Sequence, residues 1–328
     1  MDQSGIADRR RLRRKLTFWR VVGLLAVVLL VFGLTYAGGF AERGEKAQSH
    51  IARVMVSGVI TANEDLLDRL EDVRDDPNVR AVIIGIESPG GTTYGGEVLY
   101  NAVREIAAVK PVVAEVRGLA ASAGYMIASA TDHIVAGEAS IVGSIGVIFQ
   151  YGNVSELLDN IGISVDAVKS SPLKAEPSPF SPANPEAEEM IGRLVADSYD
   201  WFVDLVAERR DMTRPETLAI ADGSIFTGRQ ALQNGLVDAI GAEAEVRAYL
   251  GTRDVDTDLD IVDWEPEGSG GFFFGQAAAG LIGGLFGNSA LGSQVVSAFT
   301  DQKLFLDGLT SVWQFGGQQA RDDWGNTP

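Results

Sequence analysis

The sequence predicts an α/β fold with a mainly parallel sheet, preceded by one N-terminal transmembrane helix. Two observations predict the fold class. Strand-like and helix-like segments alternate along residues 52–266, and residues 79–86 form an almost continuous apolar run (VRAVIIGI), as expected for a strand covered on both faces. A third observation predicts the helix, because residues 21–40 (VVGLLAVVLLVFGLTYAGGF) carry no ionised side chain.

The head of the chain is basic. Residues 1–20 contain seven Arg or Lys and two Asp, a local charge of +5, although the whole chain has a net charge of −18. Twenty helical residues span the ~30 Å hydrocarbon core. The positive-inside rule then places residues 1–20 in the cytoplasm and the main domain on the extracytoplasmic (periplasmic) side of the inner membrane. A cleaved signal peptide is the alternative, but the apolar region exceeds the usual length of about 7–15 residues and no A-x-A site follows it.

The elements after the anchor follow from hydrophobic periodicity. Residues 41–51 form a short polar stalk, and residues 52–266 form the main domain. Strands are predicted at residues 53–60, 79–86, 111–117, 132–136, 140–148, 164–168 and within 235–240. Helices are predicted at residues 64–74, 96–109, 153–160, 186–210 and near 227.

Two segments differ from the alternating strands and helices predicted in the main domain. Residues 170–185 contain five prolines and no periodicity, which predicts a loop or a mobile flap. Residues 267–328 form a tail that begins with glycine-rich apolar sequence. This composition is typical of a segment that packs on the body or on a neighbouring subunit, and contact with the membrane surface is the alternative.

Composition excludes several kinds of chemistry. The acidic charge argues against nucleic-acid binding, which needs a basic face. The chain has no cysteine and only two histidines, His50 and His133, and it lacks H-E-x-x-H and P-loop motifs. We therefore expect no metal and no cofactor. His133 is also a poor candidate for a catalytic base, because it lies in a strand-like segment eleven residues after the candidate nucleophile described next.

A serine follows the strand predicted at residues 111–117. Ser122 stands between Gly118 and Gly124 and opens an Ala- and Met-rich stretch, which predicts a strand-to-helix turn. A serine in such a turn exposes its hydroxyl near the positive end of the helix. A helix-capping serine would have the same local sequence, so both interpretations remain open.

A glycine turn precedes Ser122 by one strand–helix–strand unit. Ser88-Pro89-Gly90-Gly91 follows the strand at residues 79–86, so parallel pairing would place this turn beside the Ser122 turn. Backbone N–H groups of such a turn, with the N–H that follows a nucleophile, can bind an oxyanion. A purely structural glycine turn is the alternative.

Lysine is the remaining candidate for the base. Of six lysines, Lys15 and Lys46 precede the domain, Lys303 lies in the tail, and Lys110 begins a strand at the end opposite Ser122. Two lysines remain, and both flank the proline-rich loop: Lys169 and Lys174. Either must be neutral to act as a base, which requires burial or a neighbouring cation.

Motifs in a fixed order resemble the signal peptide peptidase A family, also called protease IV. The resemblance covers residues 53–241. Its motifs are I-E-S-P-G-G at 86–91, G-L-A-A-S-A-G-Y at 118–125, V-G-S-I-G-V at 142–147, V-K-S-S-P-L-K at 168–174 and I-F-T-G-R-Q-A-L-Q-N-G-L-V-D at 225–238. An anchor before the domain also matches the family.

The resemblance implies a Clp-protease/crotonase-like fold of repeated β-β-α units and a Ser–Lys dyad. Ser122 falls on the family nucleophile and Lys174 on its general base, whereas Lys169 falls on a lysine that is not the base. The oxyanion-binding positions of the family fall on Gly90, Gly91 and Ala123. Members with one catalytic domain assemble into homo-oligomeric rings, in which a neighbouring chain can supply the lysine.

These inferences together predict a membrane-anchored serine endopeptidase. Its expected partners are the lipid bilayer, other copies of the chain and hydrophobic peptides, including signal peptides left in the membrane. A crotonase-like acyl-CoA enzyme is one alternative, but the acidic body offers few basic residues for a CoA phosphate. A catalytically silent scaffold that binds membrane peptides is the other.

Overall fold

The computed structural model describes residues 46–265 and 310–312. The chain divides into two compact units: Ile51–Trp264 with Phe305–Pro328, and Met1–His50 with Glu265–Leu304. The first unit contains the candidate site and is the one described below.

The described strands form one mixed sheet of nine strands. They are β1 His50–Ile60, β2 Val79–Thr92, β3 Val112–Ala121, β4 His133–Ala136, β5 Ile141–Gly143, β6 Ile225–Thr227, β7 Ala239–Ile240, β8 Ile261–Asp263 and β9 Thr310–Val312. The main path runs β6-β5-β3-β2-β1-β8, while β4 joins β3 to β7 and β9 pairs with β2. The pairs of β2, β4 and β5 with β3 are parallel, and so are β1 with β8 and β4 with β7. The predicted α/β class with mainly parallel pairing is confirmed.

Helices connect these strands and cover the sheet. They are α1 Glu64–Asp75, α2 Thr93–Ala107, α3 Ala123–Ser129, α4 Ser155–Asn160, α5 Pro185–Arg209, α6 Arg214–Leu218, α7 Gly228–Gln233 and α8 Glu243–Gly251. Side-chain caps set several of their starts: Asn63 caps α1, Thr92 caps α2 and Asn184 caps α5. The central strands are buried on both faces, as the apolar run in β2 predicts.

Several predicted elements differ from the structure, and the largest differences lie near the candidate site. Strand β2 continues through the glycine turn to Thr92, because Gly90–Thr92 pair with β9 after the pairing with β3 ends at Ser88. Strand β3 continues to Ala121, which pairs with Gly143 of β5. Strand β5 covers only three of the residues predicted at 140–148, since positive φ angles at Gly143 and Ser144 end it. The strand predicted at 164–168 is wrong, because residues 163–168 are exposed and belong to neither a helix nor a strand.

The predicted anchor and most of the predicted tail lie outside the described residues. Within residues 46–265 and 310–312, the helices are too short or too polar to cross a bilayer. The proline-rich segment at residues 170–184 is described and contains no helix or strand, in agreement with the predicted loop.

Candidate active site

Ser122 stands at the turn between β3 and α3, and only 1% of it is exposed. Its backbone has φ 58° and ψ −119°, a conformation that residues other than glycine rarely adopt. Its side chain makes no capping hydrogen bond to the first turn of α3, so the helix-cap interpretation is wrong. The strained strand-to-helix turn matches a nucleophile elbow in its backbone, but Ser122 is buried in the single chain, whereas the sequence predicts an exposed hydroxyl.

A second strained turn supports the backbone of Ser122. The Ser122 N–H donates to the Gly143 carbonyl at 2.8 Å, and the Ser122 carbonyl accepts from the Met126 N–H at 2.9 Å. Gly143 has φ 103° and the next residue, Ser144, has φ 53°. The Ser144 N–H donates to the Ser224 carbonyl at 2.7 Å. The conformation of Ser122 therefore depends on the turn that ends β5.

The glycine turn of β2 lies beside the Ser122 turn. Ser88 pairs with Ala120 between β2 and β3. A Cβ built on Gly124 would lie 3.1 Å from the Ser88 carbonyl oxygen, a contact so tight that a larger residue would have to push the two turns slightly apart. The structure brings together the two turns that the sequence places at the ends of neighbouring strands.

Hydrogen bonds distinguish the two glycines of this turn. The Gly90 N–H donates to Ser88 Oγ at 3.0 Å, and Ser88 Oγ donates to the Gly58 carbonyl at 2.7 Å. Because its amide already has this partner, Gly90 shapes the turn and is a poor oxyanion donor. Of the three predicted oxyanion residues, Gly91 and Ala123 remain as candidate donors. Sequence reasoning missed the buried Ser88 hydroxyl, which a serine directly before Pro-Gly-Gly could have suggested.

Gly91 occupies a position where a side chain cannot fit, because a Cβ would overlap the backbone oxygen of Ile60. We predict that Gly91→Ala lowers the free energy of unfolding by about 1–3 kcal/mol or more, since the backbone must move to relieve the overlap. Gly152→Ala is the matched control, because no atom lies within 4 Å of its Cβ position, and it should change stability by less than about 0.5 kcal/mol. Urea unfolding measures both values, and equal midpoints would contradict the prediction.

The two candidate lysines lie in the loop between α4 and α5. Lys174 is exposed, and its backbone N–H donates to the Ser171 carbonyl at 3.1 Å in a turn. Lys169 Nζ pairs with the Glu176 carboxylate, and this hydrogen bond holds the pKa of Glu176 below its usual value. Within one chain, Lys174 is therefore exposed to solvent while Ser122 is buried, so the two residues do not share an enclosed site.

The other candidate bases lie far from Ser122 or have partners elsewhere. His133 begins β4 opposite Val113 of β3, so the length of β3 separates it from Ser122 by about 25–30 Å. Its ring stacks on Tyr249 at 4.1 Å, and burial lowers the pKa of its imidazole. Lys110 Nζ donates to main-chain carbonyls at the end of α1. The structure agrees with the sequence prediction for both residues.

Two arginines hold the C-terminal end of α3, the helix that follows Ser122. Arg209 of α5 donates from Nε to the Ser129 carbonyl at 2.9 Å and from its guanidinium to the Thr131 carbonyl at 3.1 Å. Arg104 of α2 donates to the Ala130 carbonyl at 2.8 Å. Cations at this position satisfy the last carbonyls of a helix. Sequence reasoning missed both residues, because their target carbonyls become neighbours only in the folded chain.

An open groove of about 590 Å³ begins next to the turn that supports Ser122. One wall is the segment from Ser144 to Ile148, which directly follows Gly143, and the opposite wall includes Val195 and Tyr199 of α5. Most of these side chains are apolar, so the groove can receive an apolar group of a ligand.

The segment between β5 and α5 exposes many apolar side chains. They are Ile148, Tyr151, Val154, Leu157, Ile161, Ile163, Val165, Val168 and Phe180. A concentration of exposed apolar residues in one segment marks a surface that contacts a protein or a membrane. Lys174 lies in the same segment.

Comparison with known proteins assigns the family. Residues 104–255 match the model described as Peptidase family S49. The chain is 37% identical over 207 residues to a candidate protease of Methanocaldococcus jannaschii. The aligned region covers 63% of this chain and 67% of that relative. It is 31% identical over 259 residues to a candidate signal peptide peptidase SppA of Enterococcus faecium, which covers 78% and 74% of the two chains.

The chain belongs to peptidase family S49. The resemblance to the signal peptide peptidase A family is thereby confirmed, and the protein is a protease of this family. Among solved structures, the S49 chain is similar to a mutant of the 1510-N membrane-bound stomatin-specific protease, with a TM-score of 0.43 and 16% identity. That similarity covers 67% of this chain and 99% of the other.

Proposed function

We propose that this S49 protease is a membrane-anchored serine endopeptidase with a Ser–Lys dyad, which cleaves hydrophobic peptides such as residual signal peptides. One observation carries the proposal: the buried, strained turn at Ser122 lies against a glycine turn whose Gly91 tolerates no side chain. Strain of this kind costs about 1–3 kcal/mol and is typical of functional sites.

The proposed reaction uses a nucleophile, a base and two oxyanion donors. Ser122 Oγ attacks the scissile carbonyl carbon while neutral Lys174 Nζ takes the hydroxyl proton. The N–H groups of Gly91 and Ala123 hold the oxyanion of the tetrahedral intermediate. Lys174 then gives the proton to the leaving amine, and a water molecule activated by the same lysine hydrolyses the acyl-enzyme.

Lys174 reaches Ser122 from a neighbouring chain in this proposal. The exposed apolar side chains of the segment from Ile148 to Phe180 support it, because a second copy of the chain would bury them. Burial between two subunits would also remove the exposed Lys174 from water, which favours the neutral amine that a base requires. The expected assembly is a homo-oligomeric ring.

The groove beside Ser144 supports the choice of substrate. Its apolar walls favour a peptide with an apolar side chain next to the scissile bond. The apolar run at residues 21–40 would hold the domain at the extracytoplasmic face of the membrane, where such peptides collect. A Clp-protease/crotonase-like arrangement of the mixed sheet is part of the same proposal.

The two alternatives have less support. A crotonase-like acyl-CoA enzyme needs an oxyanion site but no strained serine, and a silent scaffold needs neither. Ser122 is therefore the feature that favours the peptidase.

Hydrolysis of fluorogenic peptides by the purified full chain in detergent tests the proposal. We predict that an apolar peptide has a kcat/KM at least about tenfold above that of a matched acidic peptide, because burial of one apolar side chain contributes roughly this factor. An acyl-CoA thioester should give no turnover. Turnover of the thioester without peptide cleavage would support the crotonase alternative, and no turnover of either would support the scaffold.

A further inference from the structure

The helix that follows Ser122 is short and completely enclosed. It runs from Ala123 to Ser129, and all seven of its residues are buried. Seven residues at a rise of 1.5 Å make a helix about 10 Å long. The carbonyls at its far end therefore lie about 10 Å behind the Ser122 turn, and buried protein fills the space between the two ends.

Three consecutive carbonyls at that far end accept hydrogen bonds from arginine side chains. Arg209 of α5 donates to the carbonyls of Ser129 and Thr131. Arg104 of α2 donates to the Ala130 carbonyl between them. The last carbonyls of a helix have no partner within the helix, so these bonds fix the end of α3 to two other helices. Because α3 has only about two turns, they also fix the position of its first residues.

The two arginines differ in what neutralises their charge. The Asp132 carboxylate lies 3.9 Å from the Arg104 guanidinium. In the part of the chain that the structure describes, no carboxylate forms an ion pair with Arg209, whose side chain is partly buried. Tyr100 lies near both arginines, but burial raises the pKa of its hydroxyl, which stays neutral. Glu208 is exposed to water. No described neighbour therefore neutralises the positive charge of Arg209.

We propose that Arg209 is a positioning residue of the active site, which anchors α3 and places a positive charge behind the Ser122 turn. This charge stabilises the oxyanion beside Ala123 and disfavours a second positive charge on the lysine that takes the serine proton. Charges about 10–15 Å apart interact appreciably across a buried helix, because water screens them little. The inference rests on the proposed Ser–Lys peptidase, and it adds a residue that does not touch the substrate.

The pH profile of peptide hydrolysis by the full-length chain separates this role from structural support. The base becomes protonated on the acidic limb of kcat/KM, and loss of a nearby positive charge makes that protonation easier. Arg209→Gln should therefore move the midpoint of this limb up by about 0.5–1 pH unit and lower the plateau about three- to tenfold. Arg209→Lys keeps the charge and should return the midpoint to the wild-type value. The charges of Lys169 and Glu176, beside Lys174, neutralise each other in every variant.

Two variants at the same end of α3 serve as controls. Arg104→Gln removes one hydrogen bond from the same carbonyls, but a charge that Asp132 already neutralises, so it should leave the acidic limb in place. Asp132→Asn keeps an acceptor for the Val112 N–H and leaves the Arg104 charge uncompensated. It should move the limb to lower pH, and it tests the charge effect even if Arg209→Gln does not fold.

Hydrogen exchange measures the anchoring without any activity. The Ala130 and Thr131 amides donate back into α3. In the Ser122→Ala background their exchange should become about fivefold faster in Arg209→Gln and in Arg104→Gln, because each variant removes hydrogen bonds from the helix end.

The outcomes separate the two proposals. With an active wild-type chain, an unmoved limb in both Arg209→Gln and Asp132→Asn, or an equal shift in Arg104→Gln, would overturn the charge effect. Unchanged exchange in Arg209→Gln would overturn the anchoring. If exchange becomes faster but the wild-type chain cleaves no peptide, the anchoring is supported, and the peptidase function fails together with the charge effect that depends on it.

Discussion

Ser122→Ala is expected to abolish peptide hydrolysis, with a loss in kcat on the order of 10⁴-fold or more. The reason is that the covalent route depends on a single oxygen, which no neighbouring group can replace. The fold should survive, because the Ser122 side chain does not cap α3. Steady-state cleavage of an apolar fluorogenic peptide, with circular dichroism of the same samples, measures both results.

Two further variants separate catalysis from structure at this turn. Ser122→Gly should be as inactive as Ser122→Ala but more stable by about 1 kcal/mol, since glycine adopts φ 58° without strain. Ser129→Ala removes another buried serine of α3, whose Oγ donates to the Met126 carbonyl at 2.7 Å, and it should keep activity. Full activity in Ser122→Ala, or equal loss in Ser129→Ala, would contradict the assigned role.

Lys174→Ala is expected to produce the second large effect, a loss in kcat on the order of 10³-fold or more, because the base that activates the serine is absent. Lys169→Ala is the matched control from the same loop. Its ammonium is already held by the Glu176 carboxylate and has no role as base in the proposed reaction, so its removal should change kcat by no more than a few-fold. The same peptide assay measures both, and an active Lys174→Ala chain would overturn the dyad.

Mixing the two inactive variants tests which chain supplies the lysine. In mixed oligomers of Ser122→Ala and Lys174→Ala chains, some sites combine an intact serine from one chain with an intact lysine from its neighbour. Activity should therefore return if the lysine acts between chains. Mixed oligomers without activity would show that Lys174 serves the serine of its own chain.

Much of the fold could be predicted because its central strands are buried on both faces. The apolar runs in β2 and β3 and the periodicity of α5 gave the right kind of element, with bounds that differ by a few residues at most helix ends. The prediction of a strand at residues 164–168 failed because β-branched residues also occur in exposed segments, and Val165 and Val168 are exposed and lie in no strand. Whether such residues form a strand depends on pairing with a neighbouring strand, and the local sequence does not show whether that pairing exists.

The two turns of the candidate site could be predicted from the sequence, but the hydrogen bonds and the long-range strand pairing around them could not. Parallel strand–helix units placed the Ser122 turn beside the glycine turn, and the structure has this arrangement. The hydrogen bond between the Gly90 amide and Ser88 Oγ, which separates Gly90 from Gly91, depends on side-chain geometry that no motif encodes. The pairing of β9 with the end of β2 joins segments too far apart in the chain for local patterns to reveal.

Covalent labelling tests the central claim, that Ser122 is the nucleophile, most directly. The full-length chain is treated with an apolar peptidyl phosphonate that reacts with activated serines, and the adduct is located by mass spectrometry of its peptides. We predict one adduct per chain, at Ser122, which is absent from Ser122→Ala, forms far more slowly in Lys174→Ala and is unchanged in Lys169→Ala. An adduct at another serine, or loss of peptide turnover while Ser122 stays unmodified, would contradict the claim.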